Sequence, residues 1–121
     1  ITDEDLAGIL EHCESGLITV KSLAAAARHS DSRALRVIEV GLIALAEGIC
    51  HVIALLCPRR IVSGGGVSLM GEDLFFAPLR RLVAERVFEP FAGLTDIVPA
   101  ALGEEVVVHG ALALARQKFG G

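Results

Sequence analysis

The chain has few aromatic side chains: its 121 residues include five Phe, no Trp and no Tyr. Single-stranded nucleic acids stack on aromatic rings, so such a platform is nearly absent. A surplus of positive charge is lacking too, because 11 basic and 15 acidic residues give a formal charge of −4. Affinity for phosphate backbones comes mainly from clustered Lys and Arg. The chain by itself is therefore a poor candidate for nucleic-acid binding.

Cysteine is also scarce: three residues, an odd number, are too few for a secreted domain built on disulfides. Cys50 and Cys57 lie on one predicted helix, about 10.5 Å apart along its axis. A disulfide needs Cα atoms within about 7 Å, and shared zinc ligands must be similarly close. His12 and Cys13 are adjacent and do not face the same way on a helix. We therefore predict no metal site and regard the cysteines as small buried hydrophobic residues.

The chain also lacks a recognisable signal peptide. It opens on the acidic segment Ile1–Asp5, the reverse of a basic leader, and has no initiator Met. Hydrophobic residues are abundant at 53%, which excludes a disordered chain, and the length suits one domain. We expect a fragment or processed product of a cytoplasmic protein.

The longest apolar run covers residues 40–57 and is long enough to span a membrane. Glu47 and His51 lie near its middle, however, where ionisable groups are costly. We predict instead one helix over about residues 31–57, buried on nearly all sides in its second half and ended by Pro58. No membrane partner is expected.

Residues 1–18 are expected to be a lead-in helix that ends near Gly16, and residues 19–57 two more helices. Thr19 caps the first of these two, which runs to about His29. Residues 58–121 predict a strand (59–63), a glycine loop, a helix (about 72–88, divided by Pro78), a second strand (95–98) and a last helix from about 103. Residues 106–108 are all Val, a residue that favours strands, so a strand remains the alternative to a helix there.

This order is that of a crossover unit with two parallel strands, and Pro99 must lie at a strand end or edge. Two strands do not make a stable sheet face. The partner strands are therefore expected from a second chain or from a missing upstream region.

Three consecutive glycines, Gly64, Gly65 and Gly66, are the sharpest local signal for a ligand. They directly follow a predicted strand, and ligands of open α/β sheets bind at the carboxyl ends of strands. The spacing fits neither a dinucleotide fingerprint nor a phosphate loop of the G-x-x-x-x-G-K-[ST] type. A tight turn that binds nothing remains open as the alternative.

A complete catalytic site is not visible, and we assign no catalytic residue. Glu47 and His51 are four residues apart and can meet on one helix face. They could form a catalytic or sensing pair, but without a third partner a polar pair at a helix or subunit contact is favoured. Other polar candidates are expected at the surface or in caps: His29, His109, Arg80, Arg81 and Arg86.

Several motifs in order resemble the ROK family (repressors, open reading frames and sugar kinases). The run at 56–68 resembles the family's "hhNPxxhhhGGGhs", where h is apolar and Cys57 takes the Asn position. Residues 23–31 resemble "hhxAAxxGD", with Ser30 in place of Gly. Further matches lie in the segments 71–80 ("G…hhxPLR"), 98–103 ("hhPAxLG") and 110–115 ("GAAxLA").

The resemblance implies an α/β, actin-like fold of the sugar kinase/Hsp70 type, of which this chain is the C-terminal part. It implies that Gly64, Gly65 and Gly66 form the adenosine-contacting loop. The family's phosphate loop, catalytic Asp, sugar-binding residues and zinc motif lie upstream. The fragment alone is therefore expected to hold no cofactor or metal, whereas the parent could use ATP.

Two functions remain open. We favour the effector-sensing and oligomerisation region of a sugar-responsive transcriptional regulator, because the segment 100–115 resembles repressor members. Such a protein would bind a sugar or sugar phosphate, form a homo-oligomer and contact operator DNA through a missing N-terminal domain. The alternative is the C-terminal lobe of an ATP-dependent, glucokinase-like sugar kinase, which the intact glycine triplet favours.

Overall fold

The computed structural model describes residues 2–11 and 16–120, arranged as five helices, two strands and short helical turns between them. The elements are α1 (Asp3–Leu10), α2 (Val20–Arg28), α3 (Ser32–Leu56), β1 (Arg60–Ser63), α4 (Ala77–Arg86), β2 (Asp96–Pro99) and α5 (Val106–Phe119). The predicted alternation of strand, glycine loop, helix, strand and helix is confirmed. The first helix is shorter than predicted, since it ends well before Gly16.

The ends of α2 and α3 form where the sequence places helix caps. The Thr19 hydroxyl accepts the N–H of Ser22 at 3.1 Å, and the Ser22 hydroxyl accepts the N–H of Thr19 at 2.9 Å. Asp31 accepts the N–H of Arg33 at 2.9 Å. Its hydrogen bond from the Arg33 side chain lowers the pKa of Asp31 to about 2. These contacts satisfy N–H groups that have no partner within the helix.

Helix α3 packs along one face only. Its buried residues recur every three or four positions, and this face contacts α1, α2 and α4. The buried residues are Ala34, Ile38, Leu42, Ala46, Ile49 and Ile53. On the opposite side, Val40 is 60% exposed and Leu55 is 82% exposed. The expectation of burial on nearly all sides is therefore wrong for this structure, because helices cover α3 from one side.

By length and composition alone, α3 is the one helix in the described ranges that could cross a membrane. In this structure the buried face of α3 contacts three other helices, α1, α2 and α4.

The two strands pair in parallel, with Arg60 opposite Asp96 and Ser63 opposite Pro99. Pro99 is the last residue of β2, as its missing N–H requires. Ile97 is buried, but β1 is not the buried strand that was predicted, since Val62 is 60% exposed. Within the described ranges β1 has a neighbouring strand on one side only.

Between β1 and α4 the chain forms a 3₁₀ helix at Gly66–Met70, a left-handed Gly71 and a π-helix at Glu72–Phe76. Pro78 lies in the first turn of α4, so the predicted division of this helix is confirmed. The face predicted from spacing is buried: Phe75, Leu79, Leu82 and Val83.

The three valines at residues 106–108 lie in the last helix, α5, and not in a strand. A 3₁₀ turn at Gly103–Glu105 leads into it. No residue of α5 is buried, and Val107 and Phe119 are 76% and 80% exposed. The helix therefore presents apolar side chains that no described part of this chain covers.

Candidate functional site

The carboxyl ends of β1 and β2 lie side by side and bring two loops into contact. The N–H of Ala100, just after β2, donates to the carbonyl oxygen of Ser63 at 2.9 Å. A Cβ added to Gly64 would lie 3.2 Å from the Cβ of Ala100. Gly64 therefore permits a close approach of the two loops, at the edge of the sheet where α/β folds bind ligands.

Gly65 and Gly66 differ in what their backbone requires. Gly65 has a φ of +91°, a conformation that side chains rarely adopt. Its carbonyl oxygen accepts the Ser68 hydroxyl at 2.6 Å, which closes the turn. Gly66 is not left-handed, and a Cβ added there would meet nothing within 4 Å. A side chain at Gly66 would therefore project into open space beside the loop.

Gly66 also lines a groove of about 420 Å³ between α2 and the 3₁₀ helix Gly66–Met70. Its volume lies in the range typical of small-molecule sites, ~300–1,000 Å³. Its described lining is Thr19, Val20, Lys21, Ala24, Arg28, Gly66, Leu69, Met70 and Glu104. We call this space the glycine-loop groove.

Charged side chains of both signs reach the glycine-loop groove. Lys21 and Arg28 come from one helix, two turns apart, and Glu104 comes from the turn after β2. None of the three has an ion pair within the described ranges. Apolar walls with a few polar groups suit a ligand that combines an apolar ring with phosphate and hydroxyl groups.

Arg80 is not the solvated side chain that was predicted. Its Nε donates to the carbonyl oxygen of Ile97 at 2.8 Å, and its guanidinium forms an ion pair with Glu72. The guanidinium carbon lies 5.6 Å from the ring centroid of Phe76. Arg80 thus ties the π-helix, which follows the glycine loop, to β2. The sequence offered no signal for this link beyond the residue type.

The other two arginines of α4, Arg81 and Arg86, are both exposed, as predicted. Arg86 also donates to the carbonyl oxygen of Leu82 at 3.4 Å and lies 3.6 Å from a Glu85 carboxylate oxygen. Its side chain therefore folds back on its own helix.

Glu47 and His51 are both exposed on α3, beside Cys50 and Arg86. The structure shows no hydrogen bond between these two side chains, and no group of metal ligands exists within the described ranges. His29 is the C-cap residue of α2. His109 is exposed, as predicted, and its Nε2 lies 3.6 Å from a Glu105 carboxylate oxygen.

The cysteines match their prediction only in part. The Cys50 thiol is half-buried and donates to the carbonyl oxygen of Val83 at 3.8 Å, and burial raises the pKa of this thiol. Cys57 is exposed, which corrects the prediction, because it ends α3 in a left-handed conformation. His12 and Cys13 lie outside the described residues.

Comparison with known proteins gives a consistent result along the chain. The ROK family model matches residues 7–118, a range that begins upstream of the first motif quoted above. The chain is 34% identical over 101 residues to a glucokinase of Thermotoga maritima, covering 84% of this chain and 32% of that protein. It is 31% identical over 120 residues to a glucokinase of Halalkalibacterium halodurans, covering 92% and 36%. The chain thus spans about a third of the length of these relatives.

A solved structure resembles the fold as well. A protein of Cytophaga hutchinsonii, assigned as a sugar kinase, superposes with a TM-score of 0.70 at 23% identity, covering 81% of this chain and 32% of that one. The predicted actin-like, α/β fold with a short parallel sheet is confirmed. Because the ROK family model matches residues 7–118, which is nearly the whole chain, the chain belongs to the ROK family.

Proposed function

We propose that this chain is the nucleotide-contacting lobe of an ATP-dependent ROK sugar kinase. The observation that carries the proposal is the glycine-loop groove, which opens at Gly66 and lies at the carboxyl ends of two parallel strands. The curated relatives named glucokinase support this alternative over the regulator interpretation that the sequence alone favoured.

The residues of the groove suit the adenosine end of ATP. Leu69 and Met70 offer apolar surface for a base, and the missing side chain at Gly66 leaves room beside the backbone. Lys21 and Arg28 provide positive charge that would attract the phosphate chain. When bound, ATP supplies the phosphoryl group that is transferred.

In this proposal the chain binds and orients the nucleotide and does not activate the sugar. The catalytic residues are expected to lie elsewhere in the protein. Holding one substrate in a fixed orientation is itself a large part of catalysis in phosphoryl transfer. We place such an enzyme in the cytoplasm, where ATP is available.

The experiment uses the full-length protein and measures ATP-dependent phosphorylation of a hexose panel, with glucose first. Gly66→Val places a branched side chain in the groove and is expected to raise KM for ATP at least about tenfold, with KM for the sugar unchanged. Gly48→Ala is the matched control, since a Cβ there also meets nothing within 4 Å but lies on α3. Gly65 is unsuitable as a test because its positive φ would strain any substitution.

Absence of phosphorylation with every hexose would contradict the kinase proposal, as would equal KM values for ATP in the two variants. The regulator is the second candidate, because the segment 100–115, with Glu104 and Glu105, resembles repressor members. A sugar that changes the affinity of the full-length protein for operator DNA would favour it.

A further inference from the structure

Glu104 contributes the one carboxylate among the described residues that line the glycine-loop groove. Its side chain forms no hydrogen bond or ion pair with other described residues. Two cationic side chains, Lys21 and Arg28, line the same groove from α2. The groove therefore has an acidic hydrogen-bond acceptor on the side of the β2 loop.

The backbone fixes the position of Glu104 relative to both strands. The N–H of Gly103, which has a φ of +57°, donates to the carbonyl oxygen of Ala100 at 3.3 Å. Ala100 in turn donates to the carbonyl oxygen of Ser63 at the end of β1, at 2.9 Å. Glu104 is thus held by a hydrogen-bonded turn next to the glycine loop.

The charges of the groove give a bound nucleotide a preferred orientation. A carboxylate repels phosphates, whereas Lys21 and Arg28 attract them. The groups that should face Glu104 are therefore hydrogen-bond donors. A ribose carries two neighbouring hydroxyl donors, which match the two oxygens of one carboxylate. The adenine edge is less suitable, because its amino donor lies beside a ring nitrogen that is an acceptor.

We propose that Glu104 is a specificity-determining residue that accepts hydrogen bonds from the ribose hydroxyls of the nucleotide. It thereby selects ribonucleotides over 2′-deoxyribonucleotides. This inference rests on the proposed nucleotide site. It adds that the protein recognises the ribose of the nucleotide.

The test compares the binding of ATP and 2′-deoxyATP to the full-length protein by isothermal titration. The wild type is expected to bind ATP about five- to tenfold more tightly, as one exposed, charge-assisted hydrogen bond allows. Glu104→Ala should bind ATP at least as weakly as the wild type binds 2′-deoxyATP, with no preference left. Glu104→Gln, which keeps the size but not the charge, should lose most of the preference.

Glu105→Gln is the matched control, because Glu105 is the next residue in the same turn but does not line the groove. It should keep the wild-type preference. Thermal unfolding of each variant with no nucleotide checks that the turn still folds.

Three results would overturn the inference. Equal affinity of the wild type for ATP and 2′-deoxyATP would show that the protein does not recognise the 2′-hydroxyl. The proposed nucleotide site would be unaffected by that result. If Glu104→Ala loses a preference for ATP over GTP but keeps the preference for ribose over deoxyribose, Glu104 recognises the base and not the ribose. If the wild type binds no adenine nucleotide, the nucleotide site and this inference fail together.

Discussion

Among the described residues, two other than glycine have a left-handed backbone, Ser30 with a φ of 60° and Cys57 with a φ of 42°. Both occupy positions of the quoted ROK motifs where another residue is usual, Gly for Ser30 and Asn for Cys57. Gly and Asn adopt this conformation with the least steric cost. The backbone therefore retains the geometry that the family residues favour, while this chain carries less suitable side chains.

Restoring those residues should stabilise the protein. Cys57→Asn is expected to raise the free energy of unfolding by about 0.5–1 kcal/mol, because Asn ends a helix in this conformation more readily. The measurement is urea unfolding followed by circular dichroism. Cys57→Ala is the control, since it removes the thiol but keeps the unfavourable conformation. Equal stabilities of the two variants would show that the backbone at this position is not strained.

At the scale of elements, Arg80 joins the π-helix Glu72–Phe76 to β2 and so anchors the far end of the glycine-loop segment. Arg80→Ala is expected to lower stability by about 1 kcal/mol, a modest value because the side chain is partly exposed. It should also raise KM for ATP several-fold while kcat changes little. Hydrogen exchange of the amides in Gly66–Phe76 measures the loosening directly.

Arg81→Ala provides the comparison, since Arg81 lies next along α4 and is exposed. It should leave both KM for ATP and hydrogen exchange unchanged. If Arg80→Ala accelerates exchange no more than Arg81→Ala does, Arg80 does not anchor the segment.

The elements that could be predicted are those with local signals. Thr19 and Asp31 mark helix starts through side-chain capping, and Pro58 follows the end of α3, so both helices lie within a residue or two of their expected bounds. The π-helix has no comparable signal, because its wider turn depends on packing around Phe75 and Phe76. The burial of α3 was overestimated because an apolar run does not show how many neighbours will cover it.

Of the described residues that line the glycine-loop groove, Gly66 is the one that the sequence singles out as a candidate ligand contact. Gly64, Gly65 and Gly66 stand out in the sequence because they are consecutive and follow a strand. Lys21, Arg28 and Glu104 lie more than 35 residues from them. Lys21 and Arg28 line the groove because α2 packs against the 3₁₀ helix, and Glu104 lines it from the turn after β2. Sequence spacing carries no information about such a contact, so these residues emerge from the structure.

At the scale of the whole molecule, the chain exposes apolar surface on two helices. The C-terminal end of α3 exposes Leu55 and Leu56, and α5 exposes Val107, Leu114 and Phe119, each at least 65% exposed. Monomeric proteins rarely expose large continuous apolar patches. The relatives are about three times longer than this chain. In a protein of that length, the additional residues could pack against these faces.

We therefore expect the 121-residue chain, produced alone, to self-associate at micromolar concentration. Light scattering coupled to size-exclusion chromatography measures its mass. Val107→Lys together with Leu114→Lys should shift the mass toward the monomer, whereas Val62→Lys, also exposed but on β1, should shift it less. A monomeric wild-type chain that does not bind a hydrophobic dye would contradict this expectation.

The central claim is that a nucleotide occupies the glycine-loop groove. The most direct measurement is a crystal structure of the full-length protein grown with a non-hydrolysable ATP analogue at millimolar concentration. The account predicts density for the adenosine between α2 and Gly66–Met70, with the base against Leu69 and Met70. Well-ordered analogue bound elsewhere, with the groove filled by protein side chains or solvent, would contradict it.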